Sequence, residues 1–504
     1  MSPQMNKDLN APEIDAIRTA GGLVRGSLER GVRRFLGIHY AAPPVGANRF
    51  REPVPVLPWE GVRDAIMPGP SAPYKIRPFP QLDVVPLVGN SGEQGGDYLR
   101  LNIWAPENAR NLPVMLFIHG GGFVLGSKDS AAHDGTALAR AGVVSVAINY
   151  RLNIDGFLPV PGIPTNLGLR DMIAALRWVR DNIAAFGGDP DNVTLFGESA
   201  GAMATANLVT SPLAKGLFRR AIVQSGHGSM VREIPVARRL VSKLAKLLKI
   251  SPDAEGFASV PFDRVWAAME KAGKPIGGAD LRDADGYEPV YGISRFIPVY
   301  GDDVLPELPL RALEKGAGKD VDLLIGTNAE EMNLYFVPTG IRRRIPGLLA
   351  SWLLGRSNPH ARAALKAYGL GSGKRPGEAM TEAMNDLVFR WPARQFAVAH
   401  SGRTHVYEMD WRSPASNGEL GACHGIELPF VFNTLSTVTG PRGLAGENPP
   451  QELADRVQSL WVSFARDGSL PWAEFDVEGR QVYQLDAAKA VTEPVMPAAA
   501  FTPR

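Results

Sequence analysis

The chain has one cysteine, Cys423, among its 504 residues. A lone thiol excludes an internal disulfide and any metal site built from several cysteines, and it suits a reducing compartment. A dominant charge is missing as well. The 54 Lys and Arg offset 52 Asp and Glu, leaving a formal net charge of +2, so no general field draws nucleic acid or anionic lipid. No apolar run approaches the ~20 residues of a membrane span; the nearest, residues 345–354 (IPGLLASWLL), is short and carries a proline at its start. Residues 1–19 (MSPQMNKDLNAPEIDAIRT) are polar and partly acidic with no apolar stretch, unlike a secretory signal. These absences lead us to expect a soluble, cytoplasmic protein with no nucleic-acid partner and no stable membrane association.

A hydrophobic content of 45% against 21% charged residues is that of a globular protein. The 54 glycines and 42 prolines call for many turns. The length alone would suit about three domains of ~150 residues, yet no repeat or low-complexity linker divides the chain. One domain over 1–504 is expected, with 1–14 as a flexible tail. The Pro- and Gly-rich stretch 67–96 reads as a long excursion on the surface.

Short continuous apolar runs alternate with amphipathic stretches. Residues 114–118 (VMLFI), 143–150 (VVSVAINY), 193–196 (VTLF), 221–223 (AIV) and 321–325 (VDLLI) read as buried strands. Leu169, Met172, Ile173, Leu176, Val179 and Ile183 recur at helical spacing, ended by Gly187-Gly188-Asp189-Pro190. Such alternation predicts an α/β class with a central, mostly parallel sheet flanked by helices. Large loop and helical insertions account for the remaining length.

The strand at 193–196 runs into Gly197-Glu198-Ser199-Ala200-Gly201, followed by helix-forming residues. This is G-x-S-x-G in the strand–turn–helix setting that exposes a serine hydroxyl to both substrate and base. The helix that starts there aims its free amides at developing negative charge. A second chemical element, His119-Gly120-Gly121-Gly122, ends the strand at 114–118. Glycine loops of this kind supply amides to an oxyanion hole, completed by the amide after the nucleophile, here Ala200.

In the fold that uses this serine turn, the acid follows the serine in the chain and the histidine follows the acid. That order sets aside His39, His119 and His133, and leaves His227 too close to Ser199. His360, His400, His405 and His424 remain. His360 and His400 lie in helical or polar contexts that suit exposure, and His405 opens the strand-like THVYEM. The acid is expected at a strand end, where 321–325 leads into Gly326-Thr327-Asn328-Ala329-Glu330-Glu331.

Residues 186–201 (FGGDPDNVTLFGESAG) closely resemble the nucleophile region of the type-B carboxylesterases, the group that includes the cholinesterases. The resemblance extends through 35–41 (FLGIHYA), 43–46 (PPVG), Arg49-Phe50, 149–152 (NYRL) and 176–179 (LRWV), and reaches 461–465 (WVSFA). It implies an α/β-hydrolase fold with a deep gorge and amide donors at Gly121, Gly122 and Ala200. The segment 421–430 (GACHGIELPF) is similar to the family's histidine segment, which singles out His424. The family pattern puts the acid five residues after Gly326, at Glu331, with Glu330 as its competitor. Ser225 matches a supporting serine of relatives. The reaction implied is ester hydrolysis through a Ser-His-Glu triad and an acyl-enzyme, on a small-molecule ester, with no cofactor and no metal.

The chain also departs from the family. Where relatives carry S-E-D-C, it has Gly95-Gly96-Asp97-Tyr98, and the usual disulfide partner falls at Ala72. An acidic partner for Arg49 is thereby lost, and the 67–96 loop is unstapled and free to act as a mobile lid. No tryptophan lies between Trp59 and Trp104, which removes the cation–π site that cholinesterases use and points to uncharged esters. Met172 and Met332 replace a glutamine and a glycine. Ile341-Arg342-Arg343-Arg344 before 345–354 could form an interfacial lid. Amide or carbamate hydrolysis uses the same groups and stands as the alternative reaction. A non-catalytic binding module is the competing class, disfavoured by the presence of every candidate group.

Overall fold

The computed structural model describes residues 15–76, 79, 81–89, 94–274, 276–289 and 293–502. The tail expected at 1–14 and parts of 67–96 lie outside them. One eleven-stranded sheet organises the described residues. Its strands are β1 (Ser27–Glu29), β2 (Val32–His39), β3 (Arg100–Pro106), β4 (Leu112–Ile118), β5 (Val144–Ile148) and β6 (Gly188–Glu198). They continue as β7 (Arg220–Gln224), β8 (Asp322–Asn328), β9 (Thr404–Met409), β10 (Gln481–Gln484) and β11 (Lys489–Thr492).

Across the sheet the order is β11-β10-β9-β8-β7-β6-β4-β5-β3-β2-β1. Pairing is parallel from β5 through β4, β6, β7, β8 and β9 to β10. It is antiparallel at both margins. The fold is thus the expected α/β-hydrolase arrangement, with a mixed sheet whose parallel centre comes from the strands legible as apolar runs.

Five of the helices matter for the site: α1 (Leu167–Asn182), α2 (Ala200–Thr210), α3 (Ile234–Leu248), α4 (Trp391–Ala399) and α5 (Gln451–Asp467). Side chains alternate along a strand, so β4 feeds two cores. Val114, Leu116 and Ile118 join residues of α1, α2 and α3, whereas Met115 and Phe117 join residues of α5 on the opposite face. Both faces are covered, which is why β4 reads as continuously apolar. Helix α1 buries Leu169, Met172, Ile173, Leu176 and Val179 as its spacing predicts. It ends at Asn182, and a 3₁₀ turn (Ile183–Phe186) closes on Gly187 at φ +88°.

The 67–96 stretch is more than a surface excursion. Ala72, Tyr74 and Leu82 are buried, as is Tyr98 beyond it. Gln94 joins its two arms: its Nε2 donates to Tyr74 O (2.7 Å), and Tyr74 N donates to its Oε1 (3.2 Å). Gly95 N donates to Ser71 O at 3.1 Å. No cysteine lies in this stretch, so it is unstapled as expected, and hydrogen bonds tie its described arms together instead.

Candidate active site

Strands β4, β6, β7 and β8 bring the candidate residues to one end of the sheet. Register aligns Ile118 with Gly197, Glu198 with Gln224, and Gln224 with Gly326. The glycine loop, Ser199, Ser225 and the acid turn therefore leave the sheet side by side, beyond the carboxyl ends of parallel strands, where open α/β sheets place their sites.

Ser199 caps α2 with φ 55° and ψ −120°, a strained conformation for a residue with a side chain. Its amide donates to Gln224 O (2.9 Å), and Met203 N donates to its carbonyl (2.9 Å). The flanking glycines serve close packing rather than the strained angle itself. A Cβ on Gly201 would lie 1.9 Å from Ile118 O, and one on Gly197 2.5 Å from the Gly201 carbonyl carbon. Gly226 is equally constrained: its Cβ would meet Ala202 Cβ at 2.7 Å and Ser199 O at 3.0 Å. Ser199 is 4% exposed.

The loop after β4 wraps this turn. A Cβ on Gly120 would sit 2.4 Å from Glu198 Oε2 and 3.0 Å from Ser199 Cβ, so only glycine brings the loop this close. Gly121 (φ +104°) and Gly122 (φ +62°) turn it, and Val124 and Leu125 amides donate to Gly121 O at 3.1 Å. Buried His119 braces the loop. Its ring stacks on Tyr150, whose hydroxyl donates to His119 O (2.8 Å), and burial lowers its pKa to about 4. Among the described residues, nothing accepts a hydrogen bond from the amides of Gly121 and Gly122. The Ala200 amide is the first of α2, ahead of the helical ladder.

The histidines separate clearly. His424 Nδ1 lies 2.7 Å from Glu331 Oε2, and both side chains are buried. Glu331 Oε1 accepts from Asn328 N (2.7 Å), and His424 N donates to Glu331 O (3.2 Å). Glu330 faces elsewhere, pairing with Arg412 (2.6 Å) and accepting from Ala422 N (3.0 Å). His227 contacts Val388 O (2.8 Å), and His405 packs on Trp472. His400, expected at the surface, is buried against Thr404 and Gly318 O because its loop turns back onto the sheet. His360 is exposed as expected.

Sequence reasoning missed the acidic surroundings of His424. Its Nε2 makes no hydrogen bond among the described residues and stands 3.2 Å from Glu198 Oε1, itself unpartnered. The structure thus brings Glu331 to His424 and sets Glu198 beside Nε2, without a Ser199–His424 hydrogen bond. Glu427, one turn after His424, accepts from Gln224 Nε2 (3.2 Å) and Asn328 Nδ2 (2.7 Å), and Trp461 Nε1 donates to Gln224 Oε1 (3.0 Å). Burial pulls the His424 pKa down, but Glu198, Glu331 and Glu427 outweigh it and raise it to about 9. Burial raises Glu198 to about 8. The clue lay in the motifs themselves, since Glu198 sits inside G-E-S-A-G and Glu427 inside H-G-I-E.

The remaining expectations sort simply. Ser225 directly follows β7, at φ 57°, with its hydroxyl buried and unpartnered among the described residues. Arg49 is not left alone: Asp155 accepts from its Nε (3.2 Å) and Nη2 (3.1 Å). Met172 and Met332 are buried. No helix among the described residues is long and apolar enough to cross a membrane.

The profile of the Carboxylesterase family matches residues 13–496. The chain is 36% identical to the para-nitrobenzyl esterase of Bacillus subtilis, over 94% of each chain. It is 34% identical to a phenmedipham hydrolase of Pseudarthrobacter oxydans, over 89% of each. A solved para-nitrobenzyl esterase superposes with a TM-score of 0.80 at 34% identity, over 95% of this chain and 97% of that one. A Geobacillus stearothermophilus carboxylesterase does so at 0.79 and 32%, over 96% and 99%. With fold, strand-end geometry and sequence in agreement along nearly the whole chain, this protein belongs to the carboxylesterase family and is an enzyme of the carboxylic ester hydrolase class.

Proposed function

We propose that the chain hydrolyses uncharged carboxylic esters through Ser199, His424 and Glu331 by way of an acyl-enzyme. The observation that carries this reading is the buried 2.7 Å contact between Glu331 and His424 Nδ1, with Nε2 left free of hydrogen bonds. Glu331 fixes the tautomer and stabilises the imidazolium. Ser199 Oγ attacks the ester carbonyl carbon as His424 Nε2 takes its proton. Amides of Gly121, Gly122 and Ala200 hold the oxyanion, each worth about 3–4 kcal/mol in the transition state. Collapse breaks the bond to the alcohol, which leaves with the proton from His424. Water then repeats the sequence on the acyl-enzyme and frees the acid.

Support for the other readings is of the same physical kind. One sheet gathers strands from Ser27 to Thr492, which favours a single domain. The only cysteine in the sequence is buried, in keeping with a reducing, cytoplasmic setting.

Steady-state hydrolysis of p-nitrophenyl acetate by wild type and Ser199→Ala tests the assignment. The expected result is a loss of several orders of magnitude in kcat with an unchanged thermal melt, since such residues act as a unit. Retained turnover in the folded variant would overturn it.

A further inference from the structure

A cavity of about 310 Å³ opens between the segments that follow Glu331 and precede His424. Gln81, Thr339, Arg343, Arg344, Asn417 and Glu419 are among the residues that line it. Its two walls are hydrogen-bonded to each other near Glu331 and His424. Asn333, two residues beyond Glu331, donates through Nδ2 to Glu419 O and Leu420 O, both at 3.1 Å. Below that bond Glu330 N donates to Ala422 O (2.9 Å), and His424 N to Glu331 O. Tyr335, on the first wall, has its ring centroid 5.7 Å from that of His424. The cavity therefore lies between the two strand-end loops that hold the imidazole.

Its charge is uneven. Arg343 Nε donates to both carboxylate oxygens of Glu419 at 3.0 Å, which neutralises that pair. The neighbouring Arg344 is exposed, and among the described residues no carboxylate or carbonyl accepts from its guanidinium. Its backbone is anchored, since Arg343 N and Arg344 N both donate to Gly340 O at 3.2 Å. The lining thus carries one uncompensated positive charge on a fixed turn, beside the hydroxyl of Thr339 and the amide of Asn417. A guanidinium with five donors and no acceptor among the described residues suits a carboxylate.

We propose that this cavity is a subsite for an anionic substituent at the remote end of the substrate, with Arg344 as its specificity-determining residue. The inference rests on the Ser199 hydrolase reading above and revises its substrate class: in place of esters uncharged throughout, esters whose ester group is uncharged but which carry a free carboxylate several bonds away. The reaction remains hydrolysis. An acetyl ester of an ω-hydroxy acid and one water give acetate and the hydroxy acid, with the acyl C–O bond broken.

The test is a length series of ω-acetoxy carboxylates against the matching ω-acetoxy amides, assayed with wild type, Arg344→Gln and Arg344→Lys. The ratio of kcat/KM for carboxylate over amide should peak at one chain length in wild type. It should fall about tenfold in Arg344→Gln, the scale of one charge-assisted hydrogen bond, recover in part in Arg344→Lys, and shrink with added salt. A flat ratio that Arg344→Gln does not change, with the amides still cleaved in a Ser199-dependent way, would overturn the subsite and leave the hydrolase reading intact. Failure of wild type to cleave any member would overturn the hydrolase reading itself, and the subsite with it.

Discussion

Two adjacent glutamates lie in the turn after β8, and their side chains have opposite fates. Glu331 is fully buried on His424, whereas Glu330 is tied to Arg412 and the Ala422 amide. Glu331→Gln should lower kcat by up to ~10⁴, the scale of a comparable acid-to-amide change in another triad. Glu330→Gln should cost little, a contrast that parallel kcat measurements on the two variants will show. The surroundings of His424 also set a pH dependence. Burial would lower its pKa, but Glu198, Glu331 and Glu427 raise it to about 9. A base must be neutral to accept the serine proton, so activity should be present above that raised value and lost as pH falls through it. A kcat/KM–pH profile should therefore have its acid limb above the ~6.5 of free imidazole. Removing the charge with Glu198→Gln should move that limb toward acid by ~1 unit or more. A limb that stays in place would show that Glu198 does not act on His424.

At the scale of elements, the serine turn and the glycine loop are held by close packing as much as by hydrogen bonds. A methyl group on Gly201 would overlap Ile118 O at 1.9 Å, within the first turn of α2. A Cβ on Gly122 would meet its neighbours only at ordinary van der Waals distance, Ile293 O and Ser294 Cβ at 3.5 Å, so its main cost is the left-handed φ of +62°. Gly201→Ala should therefore drop the melting temperature sharply or prevent folding. Gly122→Ala should fold with a penalty of only about 1–2 kcal/mol, which thermal melts of the two variants distinguish. The elements that carry these glycines were legible beforehand. The continuous apolar runs of β4, β5 and β6 and the helical spacing of α1 are direct records of burial on two faces and on one. The marginal strands β1, β10 and β11 were not, because they are short, partly exposed and lack such runs. Gly188 was expected to end a helix but opens β6, since the turn closes one residue earlier on Gly187.

For the whole molecule, long-range partners are what the sequence conceals. Nothing near Arg49 announces that Asp155 receives its guanidinium, or that Gln94 joins the two arms of the 67–96 stretch to Tyr74. The same holds for the line from Trp461 through Gln224 and Glu427 to Asn328, which crosses 237 positions in its first step. The serine and glycine motifs needed no such reach, because their chemistry is local. Glu331 and His424 were singled out through the resemblance, and their contact across 93 positions belongs to the folded chain alone.

The proposed mechanism stands on Ser199 as the nucleophile. Exposure of the intact enzyme to a serine-directed organophosphonate, followed by peptide mass spectrometry, tests it most directly. One adduct per chain is expected, on Ser199 within the peptide spanning 186–201, with loss of activity in step with labelling and no labelling after Glu331 or His424 is replaced. An adduct on any other residue, or full inactivation with Ser199 unmodified, would contradict it.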